Sequence, residues 1–274
     1  MSAGLAPGLA EVLAYLGEIG YAELYLPAGS GRAGSAVAAS AVSTPGATPR
    51  PPLPAARGFA KGSGAALESV DRPSPAQLSS RDSSGEVEAW TSLADVDAVA
   101  QACTRCRLAE GRRTVVFGVG DPDADLMFIG EGPGAEEDRR GEPFVGPAGQ
   151  LLDKIVGAIG LTRSQVYIAN IVKCRPPGNR DPQPDEVAAC RGYLEAQIDL
   201  VRPKVIVALG RVAAQALLGT DQPLGRLRGS WHRVRGVDLR VTYHPAGLLR
   251  NASWKRPCWE DMQIVRDRLA ADSP

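Results

Sequence analysis

The chain has 274 residues, 44% of them hydrophobic, which is enough for a real core. Lys+Arg and Asp+Glu are both 31, so net charge excludes a globally basic or acidic protein and leaves only local surfaces for a charged partner. No run approaches the roughly 18 apolar residues of a membrane span, no basic stretch leads into an apolar one at the N-terminus, and five cysteines are too few for a disulfide scaffold. A cytoplasmic protein with no membrane association is expected.

Residues 1–26 contain one helical pattern, with Leu9, Val12, Leu13, Leu16 and Ile19 on a single face. Such a stripe either packs on its own domain or docks a protein partner. Residues 27–90 are mostly Ala, Gly, Ser, Pro and Thr, and bury too little apolar surface to offset the entropy of ordering, so a disordered linker is expected there. From residue 91 to 274 the pattern is that of one α/β domain. Apolar runs at 125–131, 166–174, 205–210 and 239–244 alternate with amphipathic segments at 149–159, 184–200, 211–218 and 257–269. Connections of this length suit right-handed crossovers, so the expected core is a four-stranded parallel sheet flanked by helices in three layers. The oligomeric expectation is a monomer.

Ligands of open parallel sheets bind beyond the carboxyl ends of the strands. That rule selects Gly130 and Glu131 after the first run, Asn170 in the second, Gly210 after the third and His244 after the fourth. An acid, an amide and an imidazole then face one crevice. The loop "GEGPGAEED" has no lysine for a phosphate, so its glycines suit a flat polar ligand instead. Asn170 carries donor and acceptor on one amide, His244 can donate to a developing anion, and Phe144 lies in a Gly/Pro loop where it is either a stacking platform or local packing. Glu131, Glu137 and Asp138 read equally well as solvated loop acids.

Cys103 and Cys106 form a Cys-x2-Cys pair, and Cys174 and Cys190 follow with 15 residues between them. Four thiolates at this spacing suit a 4Fe-4S cluster or zinc, and the missing second tight pair favours the cluster. Cys258 is left over as a structural thiol. Between residues 222 and 256 eight Lys or Arg residues face one acid, Asp238, a formal surplus of seven positive charges that suits phosphate contacts.

Together "GEGPGAEED", "PFVGPAGQLLD", "NIVKCRPPGNRDP", "CRGYLEAQ" and "HPAGLLR", with the four cysteines, resemble family 4 uracil-DNA glycosylases over about residues 94–269. The resemblance implies the fold of that superfamily, a structural 4Fe-4S cluster on Cys103, Cys106, Cys174 and Cys190, and hydrolysis of the bond between uracil and deoxyribose in DNA after base flipping, without lyase activity. It further implies that Asn170, Phe144 and the backbone at Gly130 and Gly132 hold uracil and that His244 stabilises charge on its O2. Glu131 and Glu137 become the candidates to position water, Glu137 also walling off the C5 side. Leu248 resembles the wedge that fills the vacated stack, and Arg250 would hold a phosphate. The sequence departs from the wider superfamily in having Gly132 where a water-directing carboxylate is expected.

Overall fold

The computed structural model describes residues 90–271, together with Gly17. Apart from that glycine, the N-terminal helix over 1–26 and the linker over 27–90 lie outside the described residues, Trp90 excepted. Among the described residues no helix is long and apolar enough to cross a membrane.

The four expected runs form the centre of the sheet: β2 (Leu126–Gly130), β3 (Tyr167–Asn170), β4 (Val205–Leu209) and β6 (Val237–Thr242). They are parallel neighbours in the order β3-β2-β4-β6. Because side chains alternate across a strand, each run feeds both faces. Met127, Ile129, Tyr167, Ala169, Ile206 and Ala208 enter one core, while Leu126, Phe128, Ile168, Val205 and Val207 enter the other. A strand buried on both faces needs an unbroken apolar run, which is why these four could be read from sequence.

The sheet has six strands, and the expected four are corrected accordingly. β1 (Val119–Gly120) pairs antiparallel with β3 at one edge, and β5 (Trp231–Val234) pairs antiparallel with β6 at the other. β5 and β6 are joined by a two-residue loop in which Arg235 (φ 50°) and Gly236 (φ 83°) are both left-handed, the backbone of a tight hairpin turn. Edge strands this short or this polar leave no apolar run to detect.

Helices α1 (Leu93–Gln101), α2 (Leu108–Gly111), α3 (Ala135–Arg140), α4 (Pro147–Ala158), α5 (Pro184–Val201), α6 (Gly210–Leu218), α7 (Leu224–Leu227), α8 (Pro245–Arg250) and α9 (Lys255–Ala271) cover the sheet. The α9 helix is fastened by one carboxylate. Asp261, 2% exposed, accepts hydrogen bonds from Arg240 Nη2 (2.8 Å) and Thr242 Oγ1 (2.8 Å) on β6, and from Arg228 Nε and Nη2 (2.9 and 2.7 Å). Removing one partner of a buried ion pair leaves the others uncompensated. Asp261→Ala is therefore expected to lower the unfolding free energy by about 3–5 kcal/mol, measured by urea denaturation; a loss below 1 kcal/mol would show that the network is dispensable.

Candidate active site

The parallel strands all deliver their carboxyl ends to one cleft of about 640 Å³. It lies where the strand order reverses, next to the β2–β4 pair, as expected for a doubly wound sheet. Glu131, Gly132, Glu137, Phe144, Asn170, His244 and Arg250 line it. Gly130 sits just behind, and its lack of a side chain is what lets two of the others meet. A Cβ there would come within 2.5 Å of Asn170 Oδ1 and 2.6 Å of Phe144 Cζ.

Asn170 is 2% exposed, and its Oδ1 is buried with no hydrogen-bond partner. An orphaned buried acceptor costs about 1–3 kcal/mol, so it marks a place where a ligand donor belongs. Its backbone is fixed from below: the buried Lys173 Nζ donates to Asn170 O (2.9 Å) and to Gln197 Oε1 (2.5 Å), and Gln197 Nε2 donates to Phe117 O (3.0 Å) and Tyr167 Oη (3.1 Å). Burial pulls the Lys173 amine down to about 7.

Phe144 is held in a left-handed backbone conformation (φ 53°) that costs a non-glycine residue about 1–3 kcal/mol unless its surroundings impose it. They do. Glu137 Oε1 accepts from Val145 N and Gly146 N (3.0 Å each) and its Oε2 from Gly134 N (3.1 Å), while Arg163 Nη2 donates to Pro143 O (2.5 Å). Glu137 is thus not a merely solvated acid; it ties the two cleft loops together. Asp138 is not solvated either: 2% exposed, its Oδ1 accepts from Arg113 N (2.9 Å).

His244 caps α8, and its Nδ1 accepts from Ala246 N (3.2 Å), so the ring proton sits on Nε2. Burial, reinforced by Arg250 and opposed by Glu137, lowers its pKa to about 4. The imidazole is a neutral N–H donor. Its ring lies 5.5 Å from that of Phe144, and Gly210 (φ 89°) packs so close that a Cβ would meet His244 Cβ at 2.9 Å. The other histidine, His232, bonds Leu227 O through Nε2 (2.7 Å) and does not line the cleft.

Glu131 is the acid without a hydrogen bond from any described residue. Burial raises its pKa to about 7, with Asp181 adding to the rise and Arg211 opposing it. Sequence reading missed these two neighbours. They form an ion pair with each other across 30 residues, a separation that carries no local signal.

Two expectations need correction. Leu248 is fully buried in the second core, whereas Leu249 is 53% exposed beside Arg250, so Leu248 is not available as a wedge. The basic segment 222–256 is also partly paired: three acids from outside it, Asp199, Glu260 and Asp261, reduce its surplus from seven positive charges to four. Arg228 and Arg240 meet Asp261, Arg233 meets Asp238, Arg235 meets Asp199, and Arg256 meets Glu260. Arg250 is the cation of that segment that lines the cleft.

The cysteines stand apart from the cleft on the first core. Cys103 follows α1, Cys106 precedes α2, Cys174 follows β3, and Cys190 lies on α5. Arg112 Nη1 donates to Cys103 O (2.7 Å) and Cys174 Sγ (3.4 Å). Among the described residues no three His, Cys, Asp or Glu side chains converge tightly enough for a single metal ion.

With only two histidines in the chain, the imidazole protonation is directly observable. His244 is expected to stay neutral and Nε2-protonated from pH 7 down to about 4 in ¹⁵N-resolved NMR titrations, gaining its second proton only below that. A midpoint near the ordinary 6.5 would refute the buried-donor geometry.

Comparison with known proteins agrees with this geometry. Residues 117–263 match the model of the uracil DNA glycosylase superfamily. A type-4 uracil-DNA glycosylase of Thermotoga maritima is 47% identical over 170 residues, 60% of this chain and 88% of its own. One from Archaeoglobus fulgidus is 43% identical over 191 residues, 67% of this chain and 96% of its own. A type-5 uracil-DNA glycosylase of Thermus thermophilus is 33% identical over 194 residues, 55% of this chain and 86% of its own. The cleft at the strand ends and the resemblance of its motifs thus fall together: the chain belongs to the uracil-DNA glycosylase superfamily, on the type-4 side of it.

Proposed function

We propose that the protein is a uracil-DNA glycosylase that flips deoxyuridine out of DNA and hydrolyses its N-glycosidic bond, leaving an abasic site and so initiating base excision repair. The observation that carries this reading is the orphaned Oδ1 of Asn170. Uracil presents N3–H and O4 side by side, a donor and an acceptor that one amide satisfies together, with Oδ1 taking N3–H and Nδ2 giving to O4. Cytosine, with an unprotonated N3 and an amino group, offers the reverse pattern. Phe144 would stack on the base, held in place by its constrained loop.

As the glycosidic bond breaks, negative charge grows on the base and positive charge on the sugar. The neutral Nε2–H of His244 suits uracil O2. A fixed donor of this kind lowers a barrier by about 3–4 kcal/mol when it is aimed at the developing anion. Glu131 is the acid left to position water. Its carboxylate gains charge as pH rises through about 7, and it would then both orient the nucleophile and favour the sugar cation. Glu137 acts by holding the Phe144 loop in place against the C5 side of the base. The bond is broken by hydrolysis, without lyase chemistry. Exposed Leu249, in place of Leu248, would enter the base stack, with Arg250 on the backbone.

The four cysteines fit a structural 4Fe-4S cluster. Cys174 and Cys190 are buried in the first core, with Cys103 and Cys106 packed against it. Such a cluster would brace α1, α2, β3 and α5 and supply no electrons to the reaction. The purified protein is expected to be brown, with broad visible absorbance that bleaches on oxidation, and Cys174→Ser is expected to lose colour and folding yield together; a colourless, zinc-stoichiometric sample would refute the cluster.

The function is tested with end-labelled oligonucleotides carrying uracil, cytosine or thymine, followed by alkali cleavage and, in parallel, unheated SDS gels. Uracil-dependent cleavage without a protein-linked band is expected, as is a measurable gain of cytosine removal in Asn170→Asp. Absence of excision from cluster-loaded protein would leave a DNA-binding module, and a stable band would indicate covalent capture of the sugar.

A further inference from the structure

Trp254 lines the same cleft at its mouth and has no part in the chemistry above. It ends the short 3-10 turn Ala252–Trp254 and is 39% exposed, an unusual position for a large aromatic side chain that could have been buried. The indole is fixed. It stacks on Tyr243 with ring centroids 4.9 Å apart and planes 12° from parallel, and Tyr243 is covered in turn by the Arg228 guanidinium, whose carbon lies 4.2 Å from the ring centroid. Arg228 is itself locked by Asp261 and by Pro257 O (2.9 Å). From the other direction, Asn251 Oδ1 accepts from Ser253 N (3.2 Å) and Ser253 Oγ (2.6 Å), closing the turn that carries the ring.

A chain of carboxylate, guanidinium, phenol ring and indole thus ends on a partly exposed aromatic surface in the cleft that Arg250 also lines. Held this rigidly, the ring loses little conformational entropy when a flat partner settles on it. The cleft is also far larger than one pyrimidine needs.

We propose that Trp254 is a second base subsite: a stacking platform for a nucleobase neighbouring the flipped uridine in single-stranded DNA. The proposal rests on the uracil-DNA reading of the cleft. Stacking on an indole tolerates any base, since every base has a π face, and it favours the larger purines. In a duplex the neighbours of an extruded base stay paired and stacked within the helix, so the platform serves single strands only. Arg250, between the catalytic histidine and the platform in the chain, is placed to hold the intervening backbone charge.

The test is single-turnover excision from single strands in which the base at each of the two positions on either side of uracil is replaced, one at a time, by a tetrahydrofuran abasic residue. Wild-type protein is expected to lose about 10-fold in kcat/KM at one of these positions and to lose nothing there in the matching duplex. Trp254→Ala should be slower on the full strand yet indifferent to that replacement, whereas Trp254→Phe should keep the positional loss. A mere packing defect would slow every substrate equally. Wild-type indifference at all four positions, or the same positional loss in Trp254→Ala, would overturn the platform while leaving uracil excision intact. If Trp254→Ala fails to fold, the wild-type scan and Trp254→Phe decide alone. No excision by wild-type protein at all would instead refute the function on which the platform rests.

Discussion

The missing side chain at Gly130 is the constraint on which the cleft depends. The Asn170 amide and the Phe144 ring occupy the space a methyl would need, so recognition in two directions, edge and face, hangs on one backbone position at the end of β2. The register of the sheet makes that position meaningful. Gly130 is paired directly with Asn170 across β2 and β3, so the amide arrives at the same level as the loop that carries Glu131. Gly210 plays the matching part at the end of β4, where its positive φ and open side let His244 approach.

Burial then sets the charges in opposite senses. The same partial exclusion of water that keeps the His244 imidazole neutral keeps the Glu131 carboxyl protonated to unusually high pH. A cleft so arranged presents a neutral donor toward one part of a ligand and an adjustable acid toward another. Neither group is held by a strong ion pair of its own, so both remain available, whereas Glu137 is anchored by three backbone N–H groups.

What could be read in advance follows from how locally each feature is encoded. β2 and β4, buried on both faces, announce themselves as continuous apolar runs, and the strand-end rule then finds Glu131, Asn170 and His244 from one dimension. β1 and β5 are edge strands of two and four residues whose pairing is non-local or set by a turn, and no periodicity exposes them. Leu248 and Leu249 show the limit of motif reading. Adjacent residues of a helix point about 100° apart, so choosing the exposed one requires knowing that α8 starts at Pro245 and which side it lays on the core. The charge surplus at 222–256 is smaller in the fold than along the chain for a similar reason: the compensating acids Asp199, Glu260 and Asp261 come from α5 and α9, outside the window.

The position of Asp261 has a bearing on how the chain can be shortened. The last residue lining the cleft is Trp254, yet the carboxylate that secures both β6, the strand leading into His244, and the Arg228 guanidinium beneath Tyr243 lies seven residues beyond it on α9. Trimming to the residues that touch a ligand would therefore leave the buried Arg240 and the half-buried Arg228 without a counter-charge and release both the imidazole and the indole. The smallest working unit is defined by its electrostatic anchors, and these reach further along the chain than its chemistry does.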